Sequence, residues 1–542
     1  MRSLRILIVA AATALTAALA QPGPALAASY VPINGAGSTW AENAINQWTG
    51  DVSQYGMEVN YAGTGSSDGR NQFKAGTVDF AASDIPYGER DDGIVDPPPS
   101  RGFAYMPVVA GGTSFMYHLD IGGRRVTNLR LSGETIAKIF TGNISRWNDP
   151  EIVAENPGLA MPARQIIPVV RTDGSGSTAQ LTTWMAQLYP SIWNAYCAKA
   201  GRVSNPCGTT SLYPILSGSD FIGQSLDSGV TGYVAQSTSE GSITYTEYSY
   251  ALQSGFPVAK MLNSAGYYDL PTASNVAVAL VKAQINTNSA DPTVYLTQDL
   301  SQVYTDADPR VYPLSSYSYM VVPTTTASPF NTSKGQTLGA FAYYLLCQGQ
   351  QTMGPLGYSP LPINLVQAGF QQILRIPGAQ AQSINIAGCN NPTFSANGTN
   401  TLVNTAKQPP ACDKAGPTQC GPDGVTAVGG SGAGAGGSGA GGGPGGNGAG
   451  ATASGTGAAT ASAGASGAAA NGNGAVNPDT GQGAGSGAQA SYNPNVVADP
   501  VAIGASPVSP LGLVFSVVAV VFLLGAVFGP VALARLNRRR DQ

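Results

Sequence analysis

Residues 169–181 read VVRTDGSGSTAQL. Two valines and Arg171 end a run with buried character, Asp173 follows two positions later, and Gly174, Ser175, Gly176 and Ser177 lead into a stretch that reads as a helix. That order gathers a guanidinium, a carboxylate able to fix its orientation, and a row of backbone N–H and hydroxyl donors. Glycines let a ligand approach the main chain, and the first N–H groups of a helix lack intrahelical partners and lie at the positive end of its dipole. The chemistry this suits is the enclosure of an anion by local geometry.

Two further loops have the same character. In NGAGSTWAENAINQW, Gly35, Gly37 and Ser38 precede Trp40, Ala44, Ile45 and Trp48 at helical spacing, and GTGSSDGRNQF runs from Gly63 to Phe73. Three such loops can converge on one small oxyanion. Each alone is equally an ordinary helix cap, Arg171 with Asp173 an ordinary ion pair, and Asp84 in AASDIPY the start of a turn before Pro86. None of the loops matches GxxxxGK[ST] or GxGxxG, so a nucleotide is disfavoured.

Loops of this kind need a scaffold, and the flanking sequence describes one. Met57–Gly63 and Thr77–Asp84 have strand character on either side of a helical stretch, the alternation of an α/β fold. In such sheets ligands sit beyond the carboxyl ends of strands, where loops enter helices. The run Tyr245–Gln253, YTEYSYALQ, alternates like a strand and suggests no chemistry. His118, the single histidine, and Trp147 in RWND read as packing residues.

The chain has 542 residues, a formal net charge of -4 and a pI near 5.1, which argues against a nucleic-acid surface. Arg2 and Arg5 precede a short apolar run ending in Ala25–Ala27, the pattern of a signal peptide over 1–28. The six cysteines, Cys197, Cys207, Cys347, Cys389, Cys412 and Cys420, fit disulfides in an oxidising compartment. Proximity pairs Cys197 with Cys207 and Cys412 with Cys420, leaving Cys347 with Cys389; no CxxC and one histidine argue against a metal.

Residues 377–424 form a cysteine-containing extension, and 425–508 are so rich in Gly, Ala, Ser and Thr that a disordered, flexible tether is expected. An apolar segment over 509–534 has the length of a transmembrane helix, and Arg535, Arg538, Arg539 and Arg540 in the tail 535–542 place that end in the cytoplasm. NPDTG, Asn477–Gly481, lies too far ahead of that segment to read as a sortase signal.

Read together, GAGSTW, GTGSSDG, GTVDFAASDIPY, FTGNISRWNDPEI, NPGLAMP and VVRTDGSGST resemble, in order and spacing, the periplasmic phosphate-binding proteins of phosphate ABC transport, the PstS family. GVTGYVAQ, YPLSSYSYMVVP and LGYSPLP agree, so the resemblance spans roughly Ala36 to Ile376. It implies a type II periplasmic-binding-protein fold, with lobe 1 from 29–108 and 268–376 and lobe 2 from 109–267. Two crossing strands, near Tyr105–Ala110 and Gly266–Leu270, would form the hinge. By the family's pattern, phosphate would be held by the N–H groups of Thr39 and Trp40, the Thr39 hydroxyl, Ser66, Ser175, Gly176 and Ser177. Arg171 would supply the positive charge, Asp173 would fix it, and Asp84 would accept a proton from the ligand.

Departures from the family's pattern are Trp40 for phenylalanine, Ala41 for proline, Ser177 for threonine, and a C-terminal helix in place of a lipid-bearing cysteine. The resemblance implies a binding protein without enzymatic activity or cofactor, whose partners are inorganic phosphate, the permease of an ABC importer, and the membrane. A tethered phosphate sensor or scavenger without a permease is the alternative. A secreted phosphatase is disfavoured because Ser175 has no evident base or metal.

Overall fold

The computed structural model describes residues 30–428 except 383–385, 396 and 425. The expected signal peptide, tether and transmembrane helix lie outside the described residues. Among the described residues, no helix is long and apolar enough to cross a membrane.

Eight strands make one sheet: β1 (Ile33–Gly37), β2 (Val59–Gly63), β3 (Phe80–Ser83), β4 (Phe103–Tyr117), β5 (Ile167–Arg171), β6 (Ile222–Gln224), β7 (Ser242–Glu247) and β8 (Ser315–Pro323). Their order is β6-β5-β7-β4-β8-β3-β1-β2. β1 pairs in parallel with β2 and β3, and β5 in parallel with β6 and β7. The two parallel groups are joined through β8 and β4, and the β4 sequence FAYMPVVAGGTSFMY is buried throughout, as expected of a strand covered on both faces.

Residues 103–112 of β4 run antiparallel to β8, and residues 113–117 antiparallel to β7. One strand therefore serves both lobes, changing partner at Gly112–Thr113, just beyond the expected crossing at Tyr105–Ala110. The β4–β8 register shifts between Tyr317 and Tyr319, opposite Pro107, which has no N–H to give the ladder. The region expected to cross back differs. Tyr268–Asp269 instead pairs with Lys260–Leu262, which pairs with Arg130–Leu131, in a small three-stranded sheet. A turn closed by the N–H of Gly266 on the carbonyl of Asn263 folds the chain into that hairpin.

The run Tyr245–Gln253 is not a continuous strand. β7 stops at Glu247, whose carboxylate accepts the N–H of Ser249, and Tyr248–Ser254 is a helix. The alternating tyrosines hid a capping residue, and local capping outweighed the period of two.

The parallel groups run in opposite directions, so five strands deliver loops from both sides to the junction of the two lobes. β1 leads to helix α1 (Glu42–Ser53), β2 to α2 (Ser66–Ala75), β5 to α3 (Gly176–Leu188), β6 to α4 (Leu226–Val234), and β3 ends one residue before Asp84. α1 buries Ala44, Ile45, Trp48 and Val52 on one face, as its spacing requires. Trp147 is fully buried, and His118 is buried with its Nδ1 3.0 Å from the carbonyl of Val234. Disulfides join Cys197 to Cys207, Cys347 to Cys389 and Cys412 to Cys420.

Candidate functional site

The loops beyond β1, β2, β3, β5 and β6 bring most of the residues singled out from the sequence into one buried cluster between the two lobes. Asp84, 3% exposed, stands on the lobe 1 side. Ser38 Oγ donates to it at 3.0 and 2.8 Å, and Ser66 Oγ at 2.9 Å. Burial raises the Asp84 carboxyl above its ordinary value; hydrogen bonds from Ser318, Ser38 and Ser66 oppose that shift, and nearby Asp227 adds to it.

Arg171, 1% exposed, ends β5 on the lobe 2 side. Its Nε and Nη2 donate to Asp173 at 2.7 and 2.5 Å, a bidentate contact by which Asp173 fixes the guanidinium as expected. Its Nη1 donates at 2.5 Å to Asp227, a residue the sequence reading missed. Burial disfavours the charge on Arg171, but Asp227 and Asp173 outweigh it and hold the guanidinium above its usual range. Burial likewise works against the charge on Asp173, and Arg171 outweighs it, leaving that carboxyl below its usual value.

Thr39 joins the two sides. Its Oγ1 accepts from Arg171 Nη2 at 3.0 Å and donates to Asp227 Oδ2 at 2.5 Å. The other Asp227 oxygen accepts from Thr246 Oγ1 at 2.7 Å and from the N–H of Glu247 at 3.3 Å. Asp227 reaches this position because Leu226 takes φ +67°, a left-handed conformation uncommon for leucine, with its N–H donating to Asp173 Oδ1 at 2.8 Å. In the sequence, an aspartate in the first turn of a helix reads as a dipole partner, which conceals this role.

At the start of α3, Ser175 Oγ accepts the N–H of Thr178 at 3.2 Å, and the Ser175 N–H goes to the carbonyl of Ser211 at 2.9 Å. The backbone donor expected from Ser175 is thus already engaged, and only its hydroxyl hydrogen remains to give. Ser177 Oγ is buried with no hydrogen-bond partner among the described residues. Gly176 faces Asp84 so closely that a Cβ there would overlap the Asp84 carboxylate. At Gly65, φ +96°, a Cβ would lie 2.8 Å from Asp173 Oδ2. Both positions need glycine because the lobes meet there.

Trp40 sits apart from the other candidates. Its indole packs edge-on to Tyr358 and against Gly111 of β4, while its carbonyl accepts from Tyr358 Oη at 2.6 Å. The helix misread as strand contributes Tyr250, whose hydroxyl donates to the Thr39 carbonyl at 2.9 Å. At the mouth, Ser67 N–H donates to the Gly174 carbonyl at 3.0 Å, and Asp91 and Asp92 on a lobe 1 hairpin hold the lobe 2 segment 202–211. The cleft is therefore closed, with the Arg171 guanidinium, the Asp84 and Asp227 carboxylates and several hydroxyls buried, and Asp173 only partly exposed at its rim.

A family model described as a PBP superfamily domain matches residues 12–348. A phosphate-binding protein PstS of Xylella fastidiosa is 30% identical over 338 residues, covering 62% of this chain and 83% of that protein. A phosphate-binding protein PstS of Haemophilus influenzae is 29% identical, covering 62% and 90%. One of Methanocaldococcus jannaschii is 28% identical, covering 64% and 86%. The chain belongs to the PBP superfamily and, within it, to the PstS family.

Proposed function

We propose that this chain is an extracytoplasmic phosphate-binding protein that encloses inorganic phosphate between its lobes for uptake by an ABC transporter. The observation that carries this is the opposition of Asp84 and the Asp173-bound Arg171 across a closed cleft lined by hydroxyls. Arg171, the Thr39 and Ser177 hydroxyls and the first N–H groups of α3 face the anion, with Thr39 and Ser66 turning from their present carboxylate partners. Trp40 contributes only its backbone N–H, and its ring supports the hinge strand.

Selectivity follows from Asp84. Phosphate at neutral pH keeps at least one proton and sulfate keeps none, so a buried carboxylate gains a hydrogen bond from the first and meets uncompensated repulsion from the second. Because burial already raises the Asp84 carboxyl, sharing a proton with the ligand costs little. Asp227 is a positioning residue, holding Arg171 and Thr39 in register across the lobes.

Supporting the location, the relatives are named phosphate-binding proteins, and the apolar run Leu511–Ala534 followed by Arg535, Arg538, Arg539 and Arg540 reads as a single span. The globular part is then outside the membrane, tethered to it. Equilibrium binding of radiolabelled phosphate to the full chain in detergent tests the function. Saturation at one phosphate per chain is expected; no saturable binding overturns the reading.

A further inference from the structure

The segment after lobe 1 returns to the body and is fastened to both lobes. On lobe 1, Cys389 is bonded to Cys347 at the end of the helix Thr332–Leu346. Beyond it, Asn391 Nδ2 donates to the Leu361 carbonyl at 3.0 Å and Thr393 Oγ1 to the Pro360 carbonyl at 2.7 Å. Asn391 and Thr393 are 2% and 1% exposed, so these are buried anchors. Arg310 Nη1 then holds the carbonyls of Val403 and Ala406 at 3.0 and 3.4 Å.

On lobe 2, the disulfide Cys412–Cys420 closes a small loop that surrounds Arg130, whose Nη1 donates to the carbonyls of Cys412 and Thr418 at 3.2 and 3.0 Å. Gln419, fully buried, donates to the Asn128 carbonyl at 2.6 Å and accepts the Gly158 N–H at 3.1 Å. Asn128 Nδ2 donates to the Cys420 carbonyl at 2.7 Å, and Lys260 Nζ meets Asp413 at 2.6 Å. Every one of these partners belongs to the small sheet or loops of lobe 2.

Between the last lobe 1 anchor at Ala406 and the first lobe 2 anchor at Cys412 lie only Lys407, Gln408, Pro409, Pro410 and Ala411. Two consecutive prolines stiffen that bridge. We propose that this extension is a strap, a further covalent connection between the lobes that holds the cleft near its closed geometry and slows ligand release. A cleft opens by rigid-body rotation about its connections, and a short bridge anchored at each end restricts that rotation. The Asn391, Thr393, Gln419 and Asp413 anchors are buried, so pulling one free leaves buried polar groups unpaired, while the Arg310 anchor is partly exposed.

The inference rests on the closed geometry and the proposed binding site, and its test separates the two. In the full chain, inserting fifteen Gly and Ser residues between Gln408 and Pro409 keeps both anchors and lengthens the five-residue bridge four-fold. Effective concentration falls roughly as the −3/2 power of tether length, so the ratio of open to closed protein rises by up to about eight-fold. Spin labels, one on each lobe, report that ratio without ligand as a distance distribution; stopped-flow release reports it with phosphate.

A wider distribution and release faster by up to about eight-fold are expected. Asp413→Ala, which frees one lobe 2 anchor without lengthening the chain, is expected to move both readouts in the same direction. An unchanged distance distribution in the inserted chain overturns the strap, whatever anion binds. Failure of phosphate to bind, with the distribution widened, overturns the site assignment and leaves the strap standing.

Discussion

Arg171→Ala removes a side chain that makes four hydrogen bonds with Asp173, Asp227 and Thr39 while 1% exposed. Asp227, fully buried, and Asp173, 13% exposed, are then left without their cation. Breaking a buried pair from one side costs about 3–5 kcal/mol of stability, and the same truncation at a charged ligand contact costs about 2–5 kcal/mol of binding. At about 1.4 kcal/mol per decade, phosphate affinity falls by roughly 30-fold to several thousand-fold.

The contribution of Asp173 to the pH dependence of stability also changes. In the parent, Asp173 is held below its ordinary value, so its contribution is present above the unfolded pKa of about 3.9 and is lost as pH falls through the folded value. Without Arg171, the backbone N–H groups of Leu226 and Asp173 are left to oppose burial, so that carboxyl moves up from its parent position. The stability lost as pH falls through the folded value is then smaller than in the parent. Calorimetric titration with phosphate at pH 7, with melting curves at pH 5 and pH 3, checks both effects. An Arg171→Ala protein that binds phosphate within about three-fold of the parent, or loses as much melting temperature as the parent between pH 5 and pH 3, refutes the assignment.

Gly176→Ala places a Cβ against the Asp84 carboxylate and obstructs closure, so phosphate release is expected to accelerate and affinity to fall by about 1–3 kcal/mol with the melting temperature little changed. Asp227→Asn turns an acceptor toward Arg171 and Thr39 into a donor; weakening by about 1–3 kcal/mol is expected by titration, and an unchanged affinity removes Asp227 as a positioning residue. Mass spectrometry of the unreduced, alkylated protein is expected to find no free thiol, since all six cysteines are paired. Deleting Leu511 onward is expected to release a protein that still binds phosphate into the medium, and retention at the membrane contradicts the tether.

What was legible in the sequence was local. The glycines and serines after β1, β2 and β5 announced strand-to-helix turns because turn chemistry is written in adjacent residues. Arg171 and Asp173, two positions apart, announced their own pairing. Asp227 and Ser38 were not legible as partners of Arg171 and Asp84, because those contacts span 56 and 46 residues. The stretch Tyr245–Gln253 failed for a different reason: its tyrosines satisfy a period of two, and only the capping carboxylate of Glu247 separates the strand from the helix. The docking of the cysteine-rich extension was invisible, since Asn391, Thr393 and Gln419 are ordinary polar residues until carbonyls distant in sequence are placed beside them.

The central claim is that a carboxylate, Asp84, selects phosphate by accepting its proton. The direct measurement is the ratio of phosphate to sulfate affinity, by calorimetry at pH 7, in the parent and in Asp84→Asn. A buried polar mismatch of about 1–3 kcal/mol or more corresponds to a discrimination of roughly ten-fold to a hundred-fold or beyond in the parent. In Asp84→Asn, whose amide can donate to a fully ionised oxygen, that ratio is expected to collapse toward one while phosphate still binds. A parent that binds both anions equally, or an Asp84→Asn protein as selective as the parent, contradicts the account.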